Sequence, residues 1–184
     1  MRRRRFLLGL LLAGGLAGCG EATEEPLPAV RSAEPQAVEL GWRESYPPRG
    51  PRLAFGVERL EVTTEGWSAV VSIKNGTRIR FELGKHPLQL AFGLMLLEDG
   101  SLATLEEANR SGELPPLRAA DEIVPPPPLV LAPGQTWRAT ISAPGSLADH
   151  AYVRVVFGTL VATGEPPEEF PANLVWITDK AYRL

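Results

Sequence analysis

Alternation of apolar and polar side chains dominates the chain beyond Arg52 and restricts it to a fold built mainly from β-strands. The clearest runs are Trp67 to Ile73 and Ile79 to Leu83, in which every second residue is apolar. Successive side chains of a strand point to opposite faces of its sheet, so this period predicts strands with one buried face. We therefore expect a domain with several short strands and little helix.

Asn75-Gly76 separates these two runs. This dipeptide tolerates the positive φ angles of a tight turn, so it predicts a β-hairpin with a positive φ at Gly76. Other turns are predicted at Glu65-Gly66, Pro133-Gly134 and Pro144-Gly145. The further predicted strands are Leu60 to Val62, Leu129 to Leu131, Trp137 to Ile141, Tyr152 to Val161 and Leu174 to Thr178.

Three stretches depart from simple alternation. Leu88 to Leu97 is almost continuously apolar, which favours a central strand covered on both faces. Thr104 and Glu107 have the spacing of a capping box, and Gly112 follows, so a helix of one or two turns is expected there. Proline cannot donate to a sheet ladder, and we therefore expect the region between Pro115 and Pro128 to be a loop. Together these features predict an all-β, immunoglobulin-like sandwich of about seven to nine strands with one short helix, over residues 37–184.

Four arginines, Arg2 to Arg5, precede an apolar run from Phe6 to Ala17. A basic start followed by a short apolar run is typical of a secretory signal. The run is too short to span a bilayer, which takes roughly 20 apolar residues. The order Arg3-Arg4-Arg5-Phe6-Leu7 also resembles the twin-arginine export motif, and general secretory export remains an equal alternative.

The apolar run ends in Leu16-Ala17-Gly18-Cys19, which resembles the lipobox of bacterial lipoproteins. The resemblance implies that the thiol of Cys19 receives a diacylglyceryl group and that the bond between Gly18 and Cys19 is cleaved. Residues 1–18 would then be a signal peptide, and the protein would be an extracytoplasmic lipoprotein held at the cell membrane. Gly20 is not the Asp that commonly retains lipoproteins in an inner membrane, so the outer membrane is expected where there is one. The alternative is a buried or free cysteine after an ordinary signal.

Proline and glutamate are frequent in residues 19–36, which contain few apolar side chains. Such a segment buries too little apolar surface to offset its ordering entropy, so we expect a flexible tether with a domain boundary near Ala37. Val38, Leu40, Trp42 and Tyr46 alternate with polar residues, and they predict either a short strand or a segment laid across the domain.

The chain has 19 basic and 22 acidic residues, and the leader contains four of the basic ones and no acidic one. The chain from Cys19 onward therefore has 15 basic and 22 acidic residues, a formal net charge of −7. This charge argues against a nucleic-acid partner. Cys19 is the only cysteine, which excludes an intrachain disulfide.

Residues with catalytic or metal-binding potential are sparse. His86 and His150 are the only histidines, so neither a metal site nor a cofactor is expected. Ser68 lies in Gly66-Trp67-Ser68-Ala69-Val70, which lacks the last glycine of a nucleophile elbow. Asp121-Glu122 is an isolated acidic pair, for which solvated charge is the default. The four tryptophans, Trp42, Trp67, Trp137 and Trp176, could form a carbohydrate or peptide platform, but core packing is favoured for those in predicted strands.

The segments Val71 to Thr77 and Leu131 to Trp137 resemble turns in the small immunoglobulin-like domains of bacterial cell-surface lipoproteins. They are more distantly similar to immunoglobulin-like bacterial proteinase inhibitors. We therefore expect a non-enzymatic module that binds or scaffolds an envelope protein or polysaccharide. The alternatives are a proteinase inhibitor that presents Pro115 to Pro128 or Gly164 to Pro171, and a hydrolase.

Overall fold

A computed structural model of the chain describes residues 31–83, 92–164, 166 and 170–184, which form twelve strands and one helix. The first elements are β1 (Gln36–Tyr46), β2 (Leu53–Val62), β3 (Gly66–Asn75), β4 (Arg80–Glu82), β5 (Gly93–Leu97) and α1 (Leu102–Ser111). The others are β6 (Arg118–Ala119), β7 (Glu122–Val124), β8 (Val130–Leu131), β9 (Thr136–Pro144), β10 (Tyr152–Thr163), β11 (Asn173–Ile177) and β12 (Tyr182–Arg183). Seven strands have five or more residues, and the five short ones are too brief to show a period.

The strands form two sheets, and every pair is antiparallel. The first sheet has five strands in the order β1-β2-β3-β9-β7. The second has seven strands around β10, whose one edge pairs with β5 and then β4, and whose other edge pairs with β12 and then β11. β6 continues this sheet beyond β5, and β8 continues it beyond β4.

Apolar side chains from the two sheets meet in one core. Phe55 on β2 lies 5.2 Å, between ring centroids, from Phe157 on β10, and Phe92 lies at the same distance from Trp137 on β9. The inward-facing residues of β3 are buried at every second position, as the alternation predicts. The prediction of an all-β sandwich with one short helix is thus confirmed, although the structure has twelve strands where about seven to nine were expected.

β1 is a full strand at the edge of the first sheet. Trp42 is buried and faces the core, which selects the strand over a segment laid across the domain. Gly41, with φ of +59°, lies where the pairing register between β1 and β2 shifts. The shift allows apolar side chains from both halves of β1 to face the core. Upstream of β1, Ser32 pairs with Ala148 and Ala33 is buried, so contacts with the sandwich begin a few residues before Gln36.

The predicted hairpin at Asn75-Gly76 is wrong, because β3 belongs to the first sheet and β4 to the second. Gly76 does not have a positive φ. Glycine is required there because a Cβ atom would lie 2.8 Å from the carbonyl oxygen of Arg52, which accepts the Gly76 amide hydrogen. The segment after β3 is therefore a crossover between the sheets.

Asn75 is fully buried at the start of this crossover. Its side-chain amide donates to the carbonyl oxygens of Ile79 at 2.7 Å and Leu131 at 3.0 Å. Its Oδ1 accepts from the backbone amide and the hydroxyl of Thr77. One side chain thereby replaces the main-chain bonds that are lost where the chain leaves one sheet for the other.

Two further predictions need correction. The helix begins earlier than Thr104, because Ser101 is the N-cap and accepts the Thr104 amide hydrogen, while Gly112 closes the helix in the left-handed conformation as expected. The region between Pro115 and Pro128 contains β6 and β7 rather than loop alone. These strands lie between the prolines, where free amides are available for the ladder.

The predicted strand Leu88 to Leu97 lies partly outside the described residues. Its described part, β5, is covered on both faces, because α1 packs on the outer side through Leu105 against Met95, Leu97 and Val156.

Candidate functional site

The sandwich has two ends that differ in charge. The entry end is where the described chain begins: Ala33 donates its amide hydrogen to the carbonyl oxygen of Leu147, and Asp149 donates to that of Arg31. It also contains the turn between β2 and β3. The distal end is opposite and contains the loop between β1 and β2 and the crossover after Asn75.

A groove of about 510 Å³ lies at the entry end on the outer face of the first sheet. Its lining includes Ser68 and Ser142. The acidic residues along it are Glu61, Glu65, Asp121 and Glu122. None of its lining residues is a histidine, so the groove does not pair Ser68 with a histidine base. Among the described residues, no group of three or more His, Cys, Asp or Glu side chains is arranged to hold a metal ion.

The distal end contains two adjoining cavities of about 580 and 320 Å³, which we call the distal cleft. The larger is lined by the loop Pro47 to Pro51. The smaller shares Gly50 and Pro51 with it and adds Arg52, Lys74 and others from β2 and β3. The distal cleft therefore combines a proline-rich wall with cationic side chains.

Strand register explains why these cations lie together. Ala54 pairs with Lys74, and Leu53 pairs with Asn75, so Arg52 lies beside the first residues of the crossover. The Arg52 guanidinium also donates to the carbonyl oxygen of Pro48 at 3.5 Å, which keeps it on the β1–β2 loop. Residues that are 22 positions apart in the sequence are thus neighbours in space.

Five exposed cations lie at the distal end, namely Arg49, Arg52, Lys74, Arg78 and Arg80. No carboxylate among the described residues lies within 4.0 Å of any of them. Their positive charge is therefore not neutralised by a neighbouring side chain of the described chain.

Cations elsewhere on the same sheet face are paired. Arg138 lies 2.6 Å and Arg43 3.9 Å from the carboxylate of Glu58, and Arg59 lies 3.3 Å from that of Glu61. The hydrogen bond from Arg138 lowers the pKa of Glu58 and raises that of Arg138. Among the described residues of this face, cations without a carboxylate partner are therefore found only at the distal end.

Arg154 is the one charged side chain among the described residues that is fully buried. Its Nη1 donates to the carbonyl oxygens of Thr178 and Asp179, and its Nη2 donates to those of Gly100 and Ser101, all within 3.0 Å. Burial lowers its pKa. All four acceptors are main-chain oxygens of two loops, so the side chain acts as a structural junction and presents no reactive group to solvent.

Glu44 on β1 holds the second of these loops from the other side. Its carboxylate accepts from the indole nitrogen of Trp176 at 2.8 Å and from the backbone amides of Asp179 and Lys180. Desolvation and the charge of Glu44 raise the pKa of the Asp179 carboxyl group. The loop after β11 is therefore held by a cation on one side and an anion on the other.

The residues singled out in the sequence do not converge on one site. Trp42, Trp67 and Trp137 are buried, so these three cannot form an exposed platform. His150 is exposed and lies 3.3 Å from the Asp149 carboxylate. The leader, His86 and the lipobox residues lie outside the described residues. These include Arg3, Arg4, Phe6, Leu7, Leu16, Ala17, Gly18 and Cys19.

The loops of the inhibitor hypothesis are only partly free. Ala120 donates its amide hydrogen to Phe92, and Asp121 donates to Ser142, so both sheets hold the first loop at its middle. Its exposed apolar residues are Val124 and, one residue beyond its end, Leu129. Half of the second loop, Gly164 to Pro171, lies outside the described residues.

No family model, curated protein or solved structure matches the chain. The described part of the chain contains no helix with the length and apolarity needed to cross a membrane. Sequence reasoning missed the distal cleft because its cations come from two separate segments, the β1–β2 loop and β3. It also missed Arg154, whose only signal is a single charge within an otherwise apolar strand.

Proposed function

We propose that the protein is a membrane-anchored, extracytoplasmic lipoprotein whose sandwich is a non-enzymatic binding module of the cell envelope. Two sequence features support the anchor: the basic and apolar leader, and the lipobox from Leu16 to Cys19. Two or more acyl chains on Cys19 would hold the protein stably at a membrane, whereas one would not.

The lipobox at the end of the apolar leader is the observation that carries the proposal. The described chain begins at Arg31, 12 residues after Cys19, and these residues can span at most about 40 Å. The entry end would therefore lie within about 40 Å of the lipid.

The anchor is tested by replacing the thiol. In the parent protein we expect the mature chain to begin at Cys19, to carry the added mass of the lipid, and to fractionate with membranes. Cys19→Ala should remove the lipid and release the protein from the membrane fraction. Ser32→Ala is the matched control, because it changes an exposed residue of the same region and keeps the Cys19 thiol. Mature protein with an unmodified Cys19 thiol would contradict the lipoprotein proposal.

A further inference from the structure

We propose that the distal cleft binds an anionic polysaccharide through Arg49, Arg52 and Lys74. This inference rests on the proposed function, because an envelope location is what would bring such a polymer to the cleft. It deepens that function by naming the binding surface and the chemistry of the ligand.

The charge distribution is the first argument. The chain from Cys19 onward has a formal net charge of −7, so a polyanion would be repelled by the molecule as a whole. At the distal end the three cleft cations are exposed and lack a carboxylate partner among the described residues. An anionic ligand would thus find a local attraction at this end of the molecule.

The donor chemistry is the second argument. A guanidinium presents several N–H groups in a planar fork that matches a carboxylate, and a lysine adds a compact positive charge. The proline-rich loop supplies a wall with little conformational freedom to lose on binding. None of the side chains that line the two cavities is aromatic, so the cleft lacks the stacking platform used for neutral sugars.

The extent of the basic surface favours a polymer over a single small anion. Lys74 lies on β3, Arg52 directly precedes the neighbouring strand β2, and both line the smaller cavity. Arg78 and Arg80 continue the basic surface along the crossover towards the second sheet. Carboxylates repeated along a chain could therefore contact successive cations.

The test measures binding of the purified full-length protein to polygalacturonate, a polysaccharide with one carboxylate per residue, with neutral dextran as the reference polymer. We expect binding to polygalacturonate that weakens as salt is raised, and no binding to dextran. The combined variant Arg49→Gln, Arg52→Gln and Lys74→Gln should lose about tenfold or more in affinity, as expected for several charge-assisted contacts.

The matched control changes the paired cations of the same sheet: Arg43→Gln, Arg59→Gln and Arg138→Gln. It alters the net charge equally, and its affinity should stay within about threefold of the parent value. Thermal melts check that both variants fold. The single change Arg49→Glu, in an exposed loop, provides a second variant that should also weaken binding.

Three outcomes would overturn the proposal: no binding to polygalacturonate, equal losses in the two combined variants, or binding to phosphatidylglycerol vesicles in place of the polysaccharide. The last would identify the cleft as a membrane-surface site. Because the polygalacturonate assay contains no membrane, its failure is distinguishable from failure of the anchor, which is measured by the mass of the mature chain. An unmodified Cys19 together with intact polysaccharide binding would contradict the proposed anchor and support the proposed binding site.

Discussion

Asn75 and Arg154 both have no exposed surface, although one side chain is neutral and the other charged. The Asn75 amide reaches across the crossover from the first sheet to the second, and both its nitrogen and its oxygen have hydrogen-bond partners. Arg154 reaches from β10 to the loop before α1 and the loop after β11. Its Nε is buried without a partner.

The difference shows what each side chain can do at a junction. A short amide can complete a compact crossover without burying a charge, whereas two loops that lie farther apart need a longer side chain with more donors. The longer side chain requires desolvation of a cation, which only several good hydrogen bonds can offset. We therefore expect the Arg154 junction to be the more sensitive of the two to substitution.

Replacement of Arg154 should have the largest effect. Arg154→Ala would leave the carbonyl oxygens of two loops without donors and open a cavity, so we expect a loss of about 3–5 kcal/mol in the free energy of unfolding, measured by urea titration. Arg154→Lys should lose less, because an ammonium retains three donors.

Arg154→Met separates packing from hydrogen bonding. Methionine fills much of the same volume and donates no hydrogen bond, so its loss should approach that of the alanine variant. A methionine variant as stable as the parent would show that desolvation cancels the four hydrogen bonds, and the contrast between the two junctions would then disappear.

Asn75→Ala should cost about 2–3 kcal/mol, because it removes the amide that donates to the carbonyl oxygens of Ile79 and Leu131 and the oxygen that accepts from Thr77. Thr77→Ser keeps the hydroxyl that contacts Asn75 and serves as the conservative control. Asn75→Asp should be at least as damaging at neutral pH, since it buries a charge, and should recover part of the loss when the carboxyl group is protonated. A cost below about 1 kcal/mol for Asn75→Ala would mean that water replaces the amide.

The two junctions also show what local sequence can predict. The strand β3 follows from its alternation, because one buried face is enough to set a period of two. The role of Asn75 does not follow, because its partner Leu131 lies 56 positions away and Asn-Gly has the same local signal in a hairpin. Arg154 interrupts an apolar strand by a single charge, and the acceptors that make this possible belong to other segments.

The distal cleft was hidden for a related reason. Its cations lie on the β1–β2 loop and on β3, and only the strand register brings Arg52 near Lys74. The helix illustrates a local ambiguity instead: Ser101 and Thr104 are both good N-cap residues, and Asp99 selects the earlier start by accepting hydrogen bonds from both. Side-chain competition of this kind is decided by the fold around it.

Asp179, beside the Arg154 junction, provides the smallest expected effect. Its raised pKa means that the folded chain binds the proton more tightly than the unfolded chain, so stability falls as pH rises from about the ordinary value of 3.8 through the raised pKa. Asp179→Asn should therefore be more stable than the parent above this range, by a few tenths of a kcal/mol because the side chain is largely exposed, and equal to it near pH 3.

Asp99→Asn is the control of opposite sign: hydrogen bonds at the start of α1 lower the pKa of Asp99, and its loss should destabilise the protein at neutral pH. Urea titrations across pH 3 to 7 measure both differences. If both variants shift stability in the same direction at pH 7, desolvation beside Arg154 does not govern Asp179, and the Arg154 junction tolerates a neighbouring carboxylate more easily than its geometry indicates.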